Sequence, residues 1–158
     1  MNRLLTTAWK VVKVGGWFPL LVFALHVVIS RILHLYLYWP TVDIPMHFAG
    51  GLSIAYFVSC AFQTLPRYFA QRSRTVLLEL LLIATLTTTA AVCWEFAEFA
   101  IDQLLGSNVQ VSLANTMQDM AMGMLGATFI ILIRSRHLNV GFHDLREIAS
   151  DWSRGAAA

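Results

Sequence analysis

Three carboxylates lie close together near the end of a long apolar stretch, in the segment WEFAEFAID at residues 94–102. At about 100° per residue, Glu95, Glu98 and Asp102 fall within one narrow stripe of a helix. Buried carboxylates that lie side by side repel each other unless some are protonated or a cation lies between them. A divalent metal ion meets this requirement, so the stripe predicts one wall of a metal site.

Two further pairs of polar residues have helical spacing. Asp43 and His47 are four residues apart. Asn115 and Asp119 have the same spacing, and residues so spaced share one helix face. Several carboxylates combined with an imidazole suit Zn²⁺, Mn²⁺, Fe²⁺ or Mg²⁺. The residue types therefore predict a divalent metal ion as cofactor without identifying the element.

Each group of polar residues has an expected role at this site. The expected metal ligands are His47, Glu95, Glu98 and Asp119. The candidates for a general base that activates a metal-bound water are Asp43 and Asp102. The expected substrate contacts are Arg31, His34 and Asn115, with Arg31 binding a phosphate or another anion.

The elements that position these residues have the composition of a membrane protein. The chain of 158 residues is 58% hydrophobic and 13% charged, whereas a soluble domain carries about 25% charged residues. Four apolar stretches are long enough to cross about 30 Å of hydrocarbon, and they cover residues 16–38, 44–65, 76–101 and 116–133. The sequence predicts an all-α fold, an integral membrane four-helix bundle formed by residues 1–136.

The basic residues predict how this bundle is oriented. Ten of the eleven Lys and Arg residues fall on one side of the stretches: Arg3, Lys10, Lys13, Arg67, Arg72, Arg74, Arg134, Arg136, Arg146 and Arg154. By the positive-inside rule, both termini are expected to be cytoplasmic in a multi-pass membrane protein. Residues 137–158 are then a cytoplasmic tail, and their apolar spacing predicts a short amphipathic helix on the membrane surface.

This orientation brings the ionisable residues to a common depth. A charged side chain at the bilayer centre costs about 2.5–3.5 kcal/mol, so we expect these residues to face the bundle interior and to form a pocket open to the extracytoplasmic side. The loop at residues 103–114 is expected to cover that pocket. His26 falls outside it and is interpreted as structural, and Glu79 is interpreted as a surface residue beside Arg72 and Arg74.

Simpler structural interpretations remain open for the same residues. Asp43 and Asn115 each precede a helical pattern and could act only as N-caps. Asp102 could be solvated at the interface, and His47 could be a packing residue. The buried acids could also be neutral and hydrogen-bonded to one another.

Three segments carry a resemblance to a known group. They are DIPMHF at residues 43–48, WEFAEF at 94–99 and NTMQDMAMGMLGA at 115–127. They resemble the helix-opening Asp-x-x-x-His, the acidic helix end and the small-residue final helix of the VanZ-like and YjdF-like bacterial membrane proteins. The sequence departs from the YjdF-like pattern at Asn115, where that pattern tends to show Asp. The resemblance implies an integral cell-envelope protein, and the VanZ-like branch is associated with teicoplanin resistance.

Three hypotheses about function follow. The first is a metal-dependent intramembrane hydrolase or transferase that acts on a lipid or lipid-linked headgroup. The second is a transporter of divalent cations or protons, and the third is a non-catalytic envelope protein with a buried acid–His network. Membrane lipids are the expected partners. Nucleic acid is not expected, because topology explains the basic residues, and homo-oligomerisation stays open.

Overall fold

The computed structural model describes residues 3–64 and 72–137. Its elements are α1 (Arg3–Gly15), α2 (Trp17–Val27), a π-helical turn (Val28–Ile32), α3 (Leu35–Tyr38), a 3₁₀ turn (Pro40–Val42), α4 (Asp43–Thr64), α5 (Arg72–Leu105) and α6 (Leu113–His137). Within these two ranges the regular structure is helical and no strand occurs. The predicted all-α class is therefore confirmed for the described part of the chain.

Three helices are long and apolar enough to cross a membrane: Pro40–Thr64, Val76–Leu105 and Leu113–Arg136. A fourth span is formed only if two bent helices are taken together, Leu5–Gly15 and Trp17–Ile32, which meet at 55°. The described chain thus has three or four candidate spans. Of the predicted tail at 137–158, only His137 is described, as the last residue of α6, and residues 65–71 also lie outside the described part.

The segment expected as one helix over residues 16–38 is divided in the structure. At its start, a Cβ on Gly15 would lie 2.8 Å from Cys60 Cβ, so glycine here lets the junction of α1 and α2 approach α4 closely. Near its end, the π-helical turn widens the helix, and His34 adopts a left-handed backbone conformation with φ 49°. The chain therefore bends by 55° between α1 and α2, and its regular helix is interrupted again at His34 before α4 begins.

Helices α4, α5 and α6 pack against one another around Ala55, Ile83 and Ala127, which are at most 3% exposed. Small residues allow the closest approach, between α4 and α6. A Cβ on Gly51 would collide with the backbone of Gly123, and one on Gly126 would collide with the backbone of α4. In a membrane, where lipid is as apolar as the side chains, such close backbone contact is a main source of helix association.

This crossing predicts a clear contrast between two neighbouring glycines. Gly51→Ala is expected to destabilise the bundle by about 1–3 kcal/mol, because the added methyl overpacks the α4–α6 contact. Gly50→Ala is the matched control, since a Cβ there meets no atom within 4 Å. Thermal unfolding in detergent measures both variants. Equal unfolding temperatures for the two would contradict the described crossing.

The interpretation of Glu79 as a surface residue is wrong, because the structure buries its side chain. It is 5% exposed and forms an ion pair with Arg134 of α6, with Nη2 and Nε each 2.7 Å from Glu79 Oε1. The Ser59 hydroxyl of α4 donates to the same oxygen at 3.3 Å. Proximity along the sequence favoured Arg72 and Arg74 as neighbours, but helix packing brings a residue 55 positions away. Glu79 on α5 therefore contacts both of the other core helices, α4 and α6.

Candidate functional site

One imidazole lies among carboxylates from three helices. His47 Nε2 is 3.3 Å from Asp43 Oδ1 on the same helix and 4.0 Å from Asp119 Oδ2 on α6. His47 Nδ1 is 3.6 Å from Glu95 Oε1 on α5. The i, i+4 spacing that placed Asp43 and His47 on one face thus gives a direct contact. We call Asp43, His47, Glu95, Glu98 and Asp119 the acid–His cluster.

Two overlapping sets of residues within this cluster could hold a metal ion. The first is Asp43, His47 and Asp119, and the second is His47, Glu95 and Glu98. In each set the ligand atoms lie within 4.8 Å of one another. A neutral imidazole has one protonated and one bare nitrogen, so His47 can offer a lone pair to only one set at a time. The other nitrogen then donates toward the carboxylate of the other set.

Two oxygen atoms of the cluster lack the hydrogen bonds that burial normally requires. Asp119 is 1% exposed and Glu95 is 5% exposed. Asp119 Oδ1 and Glu95 Oε1 have no hydrogen-bond donor among the described residues. Since a buried polar atom without a partner costs about 1–3 kcal/mol, and more when charged, each such atom calls for an explanation. A bound cation or a proton on the carboxyl group would supply it.

Neutral side chains donate hydrogen bonds to two further carboxylate oxygens of the cluster. Asn115 Nδ2 donates to Asp119 Oδ2 at 2.7 Å, and Trp94 Nε1 donates to Glu98 Oε1 at 2.7 Å. The Asn115 side chain is available for this because the Ser112 hydroxyl caps α6, accepting the Asn115 backbone N–H at 3.1 Å. The interpretation of Asn115 as the helix cap is therefore wrong, and Asn115 supports a cluster carboxylate instead.

The interpretation of Asp43 as an N-cap also differs from the structure. An N-cap residue has non-helical backbone angles, whereas Asp43 has φ −59° and ψ −44° and lies within α4. Its carboxylate turns toward His47. The side chain is thus available to the cluster.

Asp102 belongs to neither metal-binding set and has a different set of contacts. Its carboxylate accepts hydrogen bonds from the Ser107 hydroxyl at 2.6 Å and from the backbone N–H groups of Val109 and Gln110 at 2.8 and 2.9 Å. These three bonds fold the segment between α5 and α6 back onto the helix end. Of the two candidates for a base, only Asp43 contacts His47.

The folded segment reaches the cluster through one side chain. Gln110 Nε2 donates to the backbone oxygen of Glu95 at 3.0 Å and to Glu95 Oε2 at 3.4 Å. That residues 103–114 cover the pocket stays a prediction, and Gln110 is the residue of this segment that bonds to the acid–His cluster. The sequence did not predict a role for Gln110, because its contact with Glu95 depends on how the hydrogen bonds to Asp102 fold the loop.

Asp102→Ala is expected to loosen this segment without removing the helices around it. Loss of the carboxylate leaves the Val109 and Gln110 amides without their acceptor, so their hydrogen exchange should become at least about tenfold faster. Hydrogen–deuterium exchange of the detergent-purified protein measures this. Unchanged exchange at Val109 and Gln110 would contradict the described role, and the exchange of α4 serves as the internal control.

The expected substrate contacts on the first segment, Arg31 and His34, belong to neither of the two metal-binding sets. Arg31 is exposed within the π-helical turn, and His34 is exposed at the left-handed residue before α3. The spacing that predicted a shared helix face does not apply to them, because a π-helical turn and a left-handed residue replace the regular helix there. Their role in binding substrate stays a prediction.

His26, interpreted as structural and distant from the other polar residues, lies beside the site. Its Nδ1 is 3.1 Å from the Tyr36 hydroxyl, and its ring packs edge-on against Trp94 at 5.3 Å between centroids. Trp94 in turn bonds Glu98. The spacing of four residues between Trp94 and Glu98 could have predicted their hydrogen bond from the sequence. The contact between His26 on α2 and Trp94 could not be predicted without the tertiary structure.

Comparisons with known proteins agree with the apolar spans of the described helices. No curated protein and no solved structure matches the chain. A family model described as "Predicted membrane protein (DUF2238)" matches residues 4–139. This range includes all of the described helices apart from one residue, Arg3, at the start of α1. With several apolar helices long enough to cross a bilayer and a match over most of its length, the chain belongs to this family of multi-pass membrane proteins.

Proposed function

We propose that this membrane protein binds one divalent metal ion at the acid–His cluster and uses it to act on the polar head of a lipid. The observation that carries the proposal is the convergence of three helices on His47 together with two buried carboxylate oxygens that have no donor among the described residues. A divalent cation would neutralise the carboxylates and supply a partner for Asp119. Its binding to His47 Nε2 would leave the proton on Nδ1, which faces Glu95 Oε1 at 3.6 Å.

Within the cluster, we favour Asp43, His47 and Asp119 as the ligands. Ligand atoms around a tetrahedral ion with bonds of about 2.0–2.2 Å lie roughly 3.3–3.6 Å apart. The distances of 3.3 and 4.0 Å from His47 Nε2 are close to that range and need only small movements. Glu95 faces the other ring nitrogen, at 3.6 Å. A carboxylate behind a metal-binding histidine is a common arrangement, because it fixes the ring and its tautomer.

The chemistry such a site would perform is hydrolysis or transfer at a headgroup bond. The ion would lower the pKa of a bound water toward neutral pH and polarise the bond under attack. Glu98 is the remaining carboxylate of the cluster, because Asp43 and Asp119 would be ligands and Glu95 faces the other ring nitrogen. We therefore assign Glu98 to accept the proton of that water. This assignment replaces Asp43 as base, since Asp43 becomes a ligand.

The charge pattern of the sequence supports a proposed position of the site in the cell. The distribution of Lys and Arg favours cytoplasmic termini, and it would place the acid–His cluster in the outer half of the bacterial inner membrane. A location at headgroup depth suits a substrate that enters sideways from the outer leaflet. The resemblance to VanZ-like and YjdF-like proteins agrees with a role in the cell envelope.

A second candidate function is a non-catalytic envelope protein in which the cluster is a metal-free hydrogen-bonded network. The neutral donors Asn115, Trp94 and Gln110, each bonded to a different carboxylate, favour it. In that case the two unpartnered oxygens would carry protons. Metal content distinguishes the two candidates directly.

The test of the proposed function is the metal content of the detergent-purified protein by elemental mass spectrometry. We expect about one divalent ion per chain in the wild type and at least about tenfold less in His47→Asn, because both sets lose their shared ligand. His34→Asn is the matched control: it alters an exposed histidine in a left-handed position, which Asn tolerates. A wild-type protein that stays empty after incubation with Zn²⁺, Mn²⁺, Fe²⁺ and Mg²⁺ would refute the proposal.

A further inference from the structure

A cavity of about 260 Å³ lies next to the acid–His cluster, between α2 and the three core helices. The residues that form its walls are mostly apolar or glycine, among them Val22 and Phe23 of α2, Gly50 and Ile54 of α4, and Ala90 of α5. Its polar lining side chains are few. An apolar cavity of this kind does not hold water well.

The dimensions of the cavity suit a single narrow chain. On α5 its walls run from Thr87 to Trp94, which is about 10 Å of helix length. Its volume corresponds to about nine groups of the size of a water molecule, each with a share of about 30 Å³. A methylene group is of similar size. Both measures therefore describe space for one short stretch of hydrocarbon.

One end of the cavity is shared with the acid–His cluster. His47 and Trp94 both line the cavity, and they contact Asp43 and Glu98 respectively. His26 lines the same end. The opposite end, at Pro19, Ile54 and Thr87, is about 10 Å away along the helices. A molecule with an apolar tail and a polar head would thus find both of its chemical environments here.

We propose that the cavity binds one acyl chain of a membrane lipid, with the polar head of that lipid at His47. The helices that form the walls belong to a membrane protein, so acyl chains are the apolar molecules most abundant around them. Large apolar side chains on α2, Leu20, Leu21 and Leu25, are exposed and would face the lipid around the protein. The inference rests on the proposed function for the identity of the site, and it names the substrate class as an acylated lipid.

Gly50 offers a direct way to fill the cavity. It lines the wall, and a Cβ there meets no atom within 4 Å. A leucine at this position can enter the space without displacing a helix. Ala97→Leu adds a large side chain to an exposed position on α5, outside the cavity lining, and is the matched control.

The experiment uses Trp94 as the reporter. In a full-length variant with Trp9, Trp17, Trp39 and Trp152 changed to Phe, Trp94 is the one remaining tryptophan. The purified protein in detergent is titrated with phosphatidylcholine that carries a dibrominated acyl chain, because bromine quenches indole fluorescence on contact. We expect saturable quenching that weakens at least about tenfold in Gly50→Leu and is unchanged in Ala97→Leu. Non-saturating quenching, or equal quenching in both variants, would overturn the proposal.

Two further variants keep the test decisive. Ala90→Leu fills the same cavity from α5 and replaces Gly50→Leu if that variant does not fold. Thr87 is 1% exposed and its hydroxyl has no hydrogen-bond partner among the described residues. Thr87→Val should therefore retain quenching if the occupant is an acyl chain. A tenfold loss in Thr87→Val would identify a polar occupant bonded to the hydroxyl and overturn the proposal.

The titration is run on protein whose metal content has been measured after incubation with the four divalent ions, so that this proposal and the proposed function can fail separately. Saturable quenching of a protein that takes up none of these ions would leave acyl binding in place and refute the metal site. A metal-loaded protein whose quenching does not respond to Gly50→Leu would leave the metal site in place and overturn the binding of an acyl chain in the cavity.

Discussion

The double variant Asp43→Asn/Asp119→Asn is expected to lower the metal content of the purified protein from about one ion per chain to less than about a tenth. Both substitutions remove a charged oxygen ligand from the set that faces His47 Nε2, and only the imidazole remains. Asn keeps the size of the side chain, so packing around α4 and α6 is largely preserved. Elemental mass spectrometry and competition with a fluorescent chelator measure content and affinity.

The matched control for this variant is Glu95→Gln/Glu98→Gln, which removes the same charge from the second set. We expect a loss of affinity of about 10–100-fold, the effect of removing support behind a ligand, with about one ion per chain still bound at saturation. The reverse pattern, in which only the glutamine variant loses the ion, would place the metal between Glu95 and Glu98.

Glu79→Ala is expected to destabilise the bundle by about 3–5 kcal/mol, the cost of leaving one partner of a buried ion pair alone. Arg134 would keep its charge where its side chain is only 18% exposed, and Glu79 supplies the carboxylate for both of its short contacts. Chemical unfolding of the detergent-purified protein, followed by circular dichroism, measures the change.

Two comparisons make this result specific. Glu79→Ala/Arg134→Leu removes both charges together and should recover most of the loss, because an apolar pair is often as stable as a buried ion pair. Arg136→Ala removes an exposed arginine two residues away and should change stability by less than about 0.5 kcal/mol. Equal losses in Glu79→Ala and Arg136→Ala would contradict the described pair.

Long apolar stretches and helical spacing predicted much of the described structure. The stretches at residues 44–65, 76–101 and 116–133 correspond to α4, α5 and α6, with ends that differ by several residues at most. The spacing of Asp43 and His47 gave a contact of 3.3 Å, and that of Asn115 and Asp119 gave one of 2.7 Å. Both pairs are local to one helix, which is why a single sequence suffices.

What the sequence could not supply depends on contacts between distant segments. The π-helical turn at Val28–Ile32 contains no Gly or Pro to mark it, so the first segment looked continuous. Glu79 forms its ion pair with a residue of another helix, Arg134. Asp102 accepts hydrogen bonds from a loop whose fold depends on those same bonds. For the acid–His cluster, spacing identified the side chains, but only the fold shows that His47 separates two sets of carboxylates.

The length of α5 has a consequence for how the protein sits in its bilayer. Its 34 residues extend about 51 Å, whereas the 22 residues of α4 extend about 33 Å, close to the hydrocarbon thickness. A helix this long must tilt or project beyond the lipid, and the choice depends on bilayer thickness. Since Glu95 lies on α5 about 15 Å before its end, a thicker membrane would draw the carboxylate deeper below the headgroups and a thinner one would bring it nearer to them.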